Sequence, residues 1–305
     1  MLCPTLNEVR EPSFYSSLPT SSPQKSLEVA LLTLKNRQAT ELQPAGLAGR
    51  INHMPVSPLS NEIGIEKTLQ AIEEYNKVPT DKPKCHLGVG ALPNFDIMAA
   101  RLSDYGVVFH SNPHNREFMN QALEFIQSSS TPEEFVDKIT EYMKSNIDKY
   151  NKYSTVDRMK AELKRPTSWL FSRSKFQHIK KLATEGKIIA ITQDFSETQV
   201  FQDLKVDLEK LGLPLDTLYL ANQHGSTSEA NFYATFDVLT ESQPITIHSS
   251  PPINPPTICP CPNPQSCACA KEQSISRTWL KTGTQNGALK PTNLESSSGL
   301  NETIA

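Results

Sequence analysis

The stretch Lys84-Cys85-His86-Leu87-Gly88-Val89-Gly90-Ala91-Leu92-Pro93-Asn94-Phe95 ends an apolar run with two glycines one residue apart. Glycine has no Cβ and accepts positive φ, so such a pair lets the main chain approach a ligand where a strand opens into a loop. Pro93 stands where the third glycine of a dinucleotide fingerprint would be. A tight strand-to-helix turn without a ligand accounts for the same residues. Three further side chains carry the chemistry such a loop would serve. Asp194 has the character of a ligand contact or general base, or of a cap on the turn that follows it. Glu62 suits a cleft or the first turn of a helix. Asn222 suits a substrate amide or a strand-ending turn.

Metal and nucleophile chemistry is less well supported. His110, His114 and His224 would have to converge, and no HxH or HExxH spacing brings them together. No GxSxG elbow is present, which disfavours a serine hydrolase. Cys259, Cys261, Cys267 and Cys269 form two CxC pairs separated by five residues. Four thiolates so close suit one tetrahedral zinc or copper(I), although structural zinc usually takes CxxC. S-acylation, disulfide formation in an oxidising compartment and no defined role compete with metal there. Cys85, inside an apolar run, reads as an inert buried thiol.

The elements that must position these residues alternate in type. Apolar runs predict strands over 84–89, 105–109, 187–192, 216–221 and 245–248. Helical spacing predicts helices over 26–37, 61–77, 95–103, 115–127, from Pro132 to Ile147, 155–164 and 173–184. Thr131, Pro132 and Glu134 form an N-terminal signature, and Ser196 with Gln199 forms a second that opens a helix running to Gly212. Residues 229–240 fit either period, and the alternation favours helix. Strands alternating with helices predict a doubly wound, mostly parallel α/β sheet with a helical insert between the second and third strands. Trp169 and Phe171 read as core residues.

The organisation is one folded unit with extensions. Residues 1–58 read as an extension, partly disordered with one short helix, and 59–249 as the folded domain. Residues 250–305, rich in Pro, Ser and Cys, read as a disordered tail that buries too little to offset ordering entropy. The net charge of −3 gives no general attraction to nucleic acid. Lys175, His178, Lys180 and Lys181 read as a solvated helix face. No apolar run approaches the roughly 20 residues of a bilayer span, and no leader peptide pattern opens the chain. These features predict a cytoplasmic protein with no membrane segment.

Several short motifs occur in order: Leu59-Ser60-Asn61-Glu62, Gly88-Val89-Gly90 with Asn94-Phe95, Trp169-Leu170-Phe171-Ser172 with Phe176, Thr192-Gln193-Asp194-Phe195, and Leu218-Tyr219-Leu220-Ala221-Asn222. Over residues 59–249 this set resembles an uncharacterised bacterial family with the Rossmann-like fold of S-adenosylmethionine-dependent methyltransferases. The resemblance implies that Gly88 and Gly90 lie under the methionine part of S-adenosylmethionine, with Asn94 close by. It implies that Asn61 and Glu62 approach from the preceding helix, and that Asp194 and Asn222 face the cleft from strand ends. Asp194 and Glu62 would then orient or deprotonate the methyl acceptor. One departure is visible: the acid that holds ribose hydroxyls after the second strand is missing from Phe109-His110-Ser111-Asn112, leaving Ser111 and Asn112 in its place. That departure leaves a second reading open, a catalytically inactive methyltransferase-like module that binds a protein partner. Residues 293–305, small and polar, resemble the carboxyl-terminal signals of bacterial type IV secretion substrates, which would imply a secreted effector.

Overall fold

The computed structural model describes residues 55–59, 65–76, 81–150, 155–221, 229–250 and 277–281. Helix α1 (Ile65–Tyr75) is followed by strand β1 (Cys85–Val89), helix α2 (Pro93–Arg101) and strand β2 (Tyr105–His110). Helices α3 (Pro113–Ser128), α4 (Pro132–Ser145), α5 (Val156–Ala161) and α6 (Arg173–Thr184) then form the insert that leads to β3 (Ile188–Thr192). Helix α7 (Thr198–Lys210), β4 (Leu215–Ala221), α8 (Glu229–Thr240) and β5 (Ile245–Ser250) complete the alternation, and β6 (Arg277–Lys281) closes the sheet.

The sheet order is β3-β2-β1-β4-β5-β6. Strands β1 to β5 are parallel, and β6 pairs antiparallel with β5. This is a doubly wound Rossmann-like α/β fold. The order reverses between β1 and β4, and the carboxyl ends of those strands are where open α/β sheets bind ligands. The strand at 277–281 falls inside the stretch expected to be a disordered tail; at five residues it gave little periodicity to read.

Burial explains why the strands read as continuous apolar runs. Cys85, Leu87 and Val89 of β1, with Val107 and Phe109 of β2, face α7 and α8 in one core. Val108, Ile188 and Ala190 face the opposite core, built from α2, α3, α4, α6 and Trp169. Glycines bring α2 close on this second face. A Cβ on Gly106 would lie 2.3 Å from Met98 Sδ, and one on Gly88 would lie 1.9 Å from Asn94 Oδ1. Residues 94 and 98 are one turn apart, so both press into the space that the two glycines leave.

Local signals decided several boundaries. Thr131 caps α4 as expected, accepting from Glu134 N, while Glu134 Oε2 accepts from Ser130 N. Helix α2 starts at Pro93, two residues before the expected 95, and stops where Leu102 turns left-handed at φ 57°. The expected helix 155–164 divides into α5 and a 3₁₀ turn at Glu162–Lys164. Ser196 does not cap α7; that helix begins at Thr198 with no side-chain cap. Phe171, expected in the core, is 53% exposed, whereas Trp169 is buried. Cys85 is buried, and burial pushes its thiol up to about 12, as an inert thiol requires. Lys175, expected on a solvated face, forms an ion pair with Glu73 at 2.6 Å. No helix among the described residues is long and apolar enough to cross a membrane. The predicted helix 26–37 lies outside the described residues.

Candidate functional site

The carboxyl edge of the sheet begins at the glycine loop. Gly90 takes φ +100°, and nothing lies within 4 Å of where its Cβ would be. Gly88 is different, because the Asn94 side chain already fills its Cβ direction. Asn94 Nδ2 donates to Val89 O at 3.0 Å and Ala91 O at 2.8 Å, which fixes Oδ1 as the acceptor. Oδ1 accepts from His86 Nε2 at 2.9 Å, so His86 Nδ1 is unprotonated and accepts from the Thr217 hydroxyl at 2.8 Å. Burial lowers His86 to a pKa of about 4, so this tautomer is neutral at pH 7. Thr217, His86 and Asn94 have no exposed surface. The line of bonds ties β4 through β1 to the first turn of α2.

A short segment crosses the same edge. Leu92 N donates to Pro58 O at 3.1 Å, Ser57 N donates to Asn115 Oδ1 at 3.3 Å, and Val56 N donates to Lys149 O at 2.7 Å. Residues 56–58 therefore strap the glycine loop to the start of α3 and the end of the α4 region. The amide of Leu92, at the mouth of α2, is taken by chain rather than left for a ligand.

At the end of β2 the expected ribose contacts have separated roles. Asn112 is fully buried and caps α3, accepting from His114 N at 2.9 Å. Ser111 is partly buried beside it. His110 Nδ1 accepts from Asn112 N at 2.9 Å, and burial lowers the ring to a pKa of about 4 against the opposing charge of Asp194. Asp194 is partly buried at the end of β3 and closes a turn, its Oδ1 accepting from Ser196 N at 2.8 Å and Ser196 Oγ at 2.7 Å. The fold thus brings Gly88, Gly90, Asn94, Ser111, Asn112 and Asp194 to one edge. It gives Asn94, Asn112 and one oxygen of Asp194 bonds within the protein. Asn61, Glu62, Asn222, His224, Cys259, Cys261, Cys267 and Cys269 lie outside the described residues. Among the described residues no group of three or more His, Cys, Asp or Glu could hold a metal.

A cavity of about 90 Å³ lies between α1, α2 and α5. Leu59, Leu92, Met159 and Trp169 form apolar wall, and Glu66, Asp96, Arg158, Glu162 and Arg165 form the charged part. Asp96 Oδ1 accepts from Trp169 N at 2.7 Å, and Oδ2 accepts from Arg165 Nη2 at 2.5 Å. Arg165 also donates to Glu162 through Nε at 2.9 Å and to Thr167 Oγ1 at 2.9 Å. Burial pushes Asp96 up to about 6 even though the Arg165 charge pulls it down. A buried acid near neutrality beside a cavity marks a functional candidate, and structural ion pairs produce the same shift. Sequence reading treated Asp96 only as a helix residue. The available signal was its place as the one charged residue in the first turn of that helix.

A model described as Domain of unknown function (DUF7790) matches residues 58–150 and 146–239, together more than half of the 305 residues. The matched span runs from the strap through the glycine loop and the insert to α8. No curated protein matches the chain.

Proposed function

We propose, for a chain that belongs to the DUF7790 family, that the Rossmann-like domain is a methyltransferase-like binding module and does not transfer methyl groups. The observation that carries this reading is the buried Thr217–His86–Asn94 line under Gly88. In a loop that seats a cofactor, glycine makes room for the ligand. Here Gly88 makes room for Asn94. The Pro58 carbonyl on Leu92 N and the absence of an acid in Phe109-His110-Ser111-Asn112 support the same conclusion.

Methyl transfer from S-adenosylmethionine to an unidentified acceptor is the second reading, and Gly90 favours it. Its left-handed backbone and open surroundings are what close approach of a ligand needs. In that reading Gly90 seats the cofactor, and Asp194 or Glu62 orients or deprotonates the acceptor. The enzyme's work would then be positioning and exclusion of water.

Thermal unfolding of the full chain separates the two. A ligand that binds only the native state raises the midpoint by mass action. The module reading predicts no rise with millimolar S-adenosylmethionine or S-adenosylhomocysteine. A rise that Gly90→Arg abolishes would overturn it.

A further inference from the structure

The cavity between α1, α2 and α5 has two kinds of wall. Leu59, Leu92, Met159 and Trp169 belong to its apolar part, and Met159 and Trp169 are buried. At about 90 Å³ it has room for roughly six waters. Water against the apolar part finds no hydrogen-bond partners there, so an aliphatic chain suits that side better.

Glu66, Asp96, Arg158, Glu162 and Arg165 line the rest. The bonds these groups already make decide which charge a ligand can carry. Arg165 is engaged within the protein: Nε donates to Glu162 Oε2, Nη1 to Thr167 Oγ1, and Nη2 to both Asp96 Oδ2 and Glu162 Oε2. Asp96 is engaged as well, through Arg165 and Trp169 N. Arg158, exposed at the rim, has an interaction of its own. The groups left over are anionic acceptors. Glu162 gives Oε2 to Arg165, and its Oε1 has no partner among the described residues. The carboxylate of Glu66, in the first turn of α1, has none among them either. Two acceptors from two elements thus border a cavity whose uncharged lining is entirely apolar.

We propose that this cavity binds a small primary alkylammonium, with its ammonium group on Glu66 and Glu162 and its chain against Leu59, Leu92, Met159 and Trp169. An ammonium offers three donors and no acceptor, as carboxylate oxygens require. A carboxylate ligand would have to compete with Asp96 and Glu162 for Arg165 and leave them unpaired. The site goes beyond the binding-module reading and does not rest on it, since neither Gly88, Gly90 nor Asn94 lines it.

The test is NMR titration of the full chain with labelled methionine methyls, following Met159. The probes are n-butylammonium, n-butanol and butyrate at matched ionic strength. A saturable Met159 shift with butylammonium is expected, with little response to the other two. Burial holds Asp96 at about 6, and a cation in the cavity favours its ionised form, so butylammonium should move the Asp96 titration down. An apolar occupant alone would not do so. Glu66→Gln, at an exposed side chain, should weaken binding about three-fold, and adding Glu162→Gln should bring the loss to about ten-fold. Glu66→Gln leaves the Arg165 bonds in place, so it decides the matter alone if the double variant does not fold. An equal response to butanol, a stronger response to butyrate, unchanged affinity in Glu66→Gln, or no saturable shift through millimolar butylammonium would overturn the site. Stabilisation by S-adenosylmethionine that depends on Gly90 would contradict the module reading while leaving the Met159 shifts in place, so the two failures are separable.

Discussion

Gly88 and Gly90 are one residue apart, yet the structure asks different things of them. Gly88 lacks a side chain because Asn94 Oδ1 lies 1.9 Å from where its Cβ would be. Gly90 lacks one because its backbone sits at φ +100°. Gly88→Ala should therefore cost about 2 kcal/mol by forcing Asn94 out of its bonds. Asn94→Ala should cost roughly 3 kcal/mol, since it leaves Val89 O, Ala91 O and the His86 proton unpaired. The two changes remove one contact, so urea unfolding of the double variant should show a loss well below the sum. Additive losses would mean that Gly88 and Asn94 are not coupled. Gly90→Ala should cost about 1 kcal/mol through backbone strain alone, with no dependence on Asn94.

Among the elements, α2 is the one that others hold. Asn94 ties it to β1, and Asp96 ties it to the insert through Arg165 and Trp169 N. These contacts set the response to pH. His86 and His110 are held near 4, below the ordinary 6.5, so the unfolded chain binds more protons between those values and stability rises with pH there. Asp96 is held near 6, above the ordinary 3.8, so the folded chain keeps a proton that the unfolded chain has released, and stability falls with rising pH over that window. Burial lowers His178 as well, so three histidines against one acid leave a net rise. Asp96→Asn removes the opposing contribution, so the rise should become steeper. Urea midpoints for wild type and variant on either side of this window test it, and an unchanged slope would contradict the assignment.

The strands were legible in the sequence because both faces of the sheet are covered. Residues such as Ile188, Ile189 and Ile191 are all buried and read as one apolar run. The Thr131 cap was legible because capping is local. The Asp96–Arg165 contact spans 69 residues and the His86–Thr217 contact spans 131, so no local pattern announces either. Ser196 was misplaced for a local reason: its hydroxyl donates to Asp194, two residues earlier, instead of capping α7.

For the whole molecule, the family model matches residues 58–150 and 146–239, which hold the glycine loop, the insert and nearly all of α8. We read the space beside Gly88 as taken by Asn94 and not by a cofactor. Titration calorimetry of S-adenosylmethionine into the full chain, wild type beside Gly90→Arg, tests it most directly. No saturable heat is expected in either protein through millimolar ligand. Micromolar binding to the wild type that disappears in Gly90→Arg would contradict it and make the chain a methyltransferase candidate again.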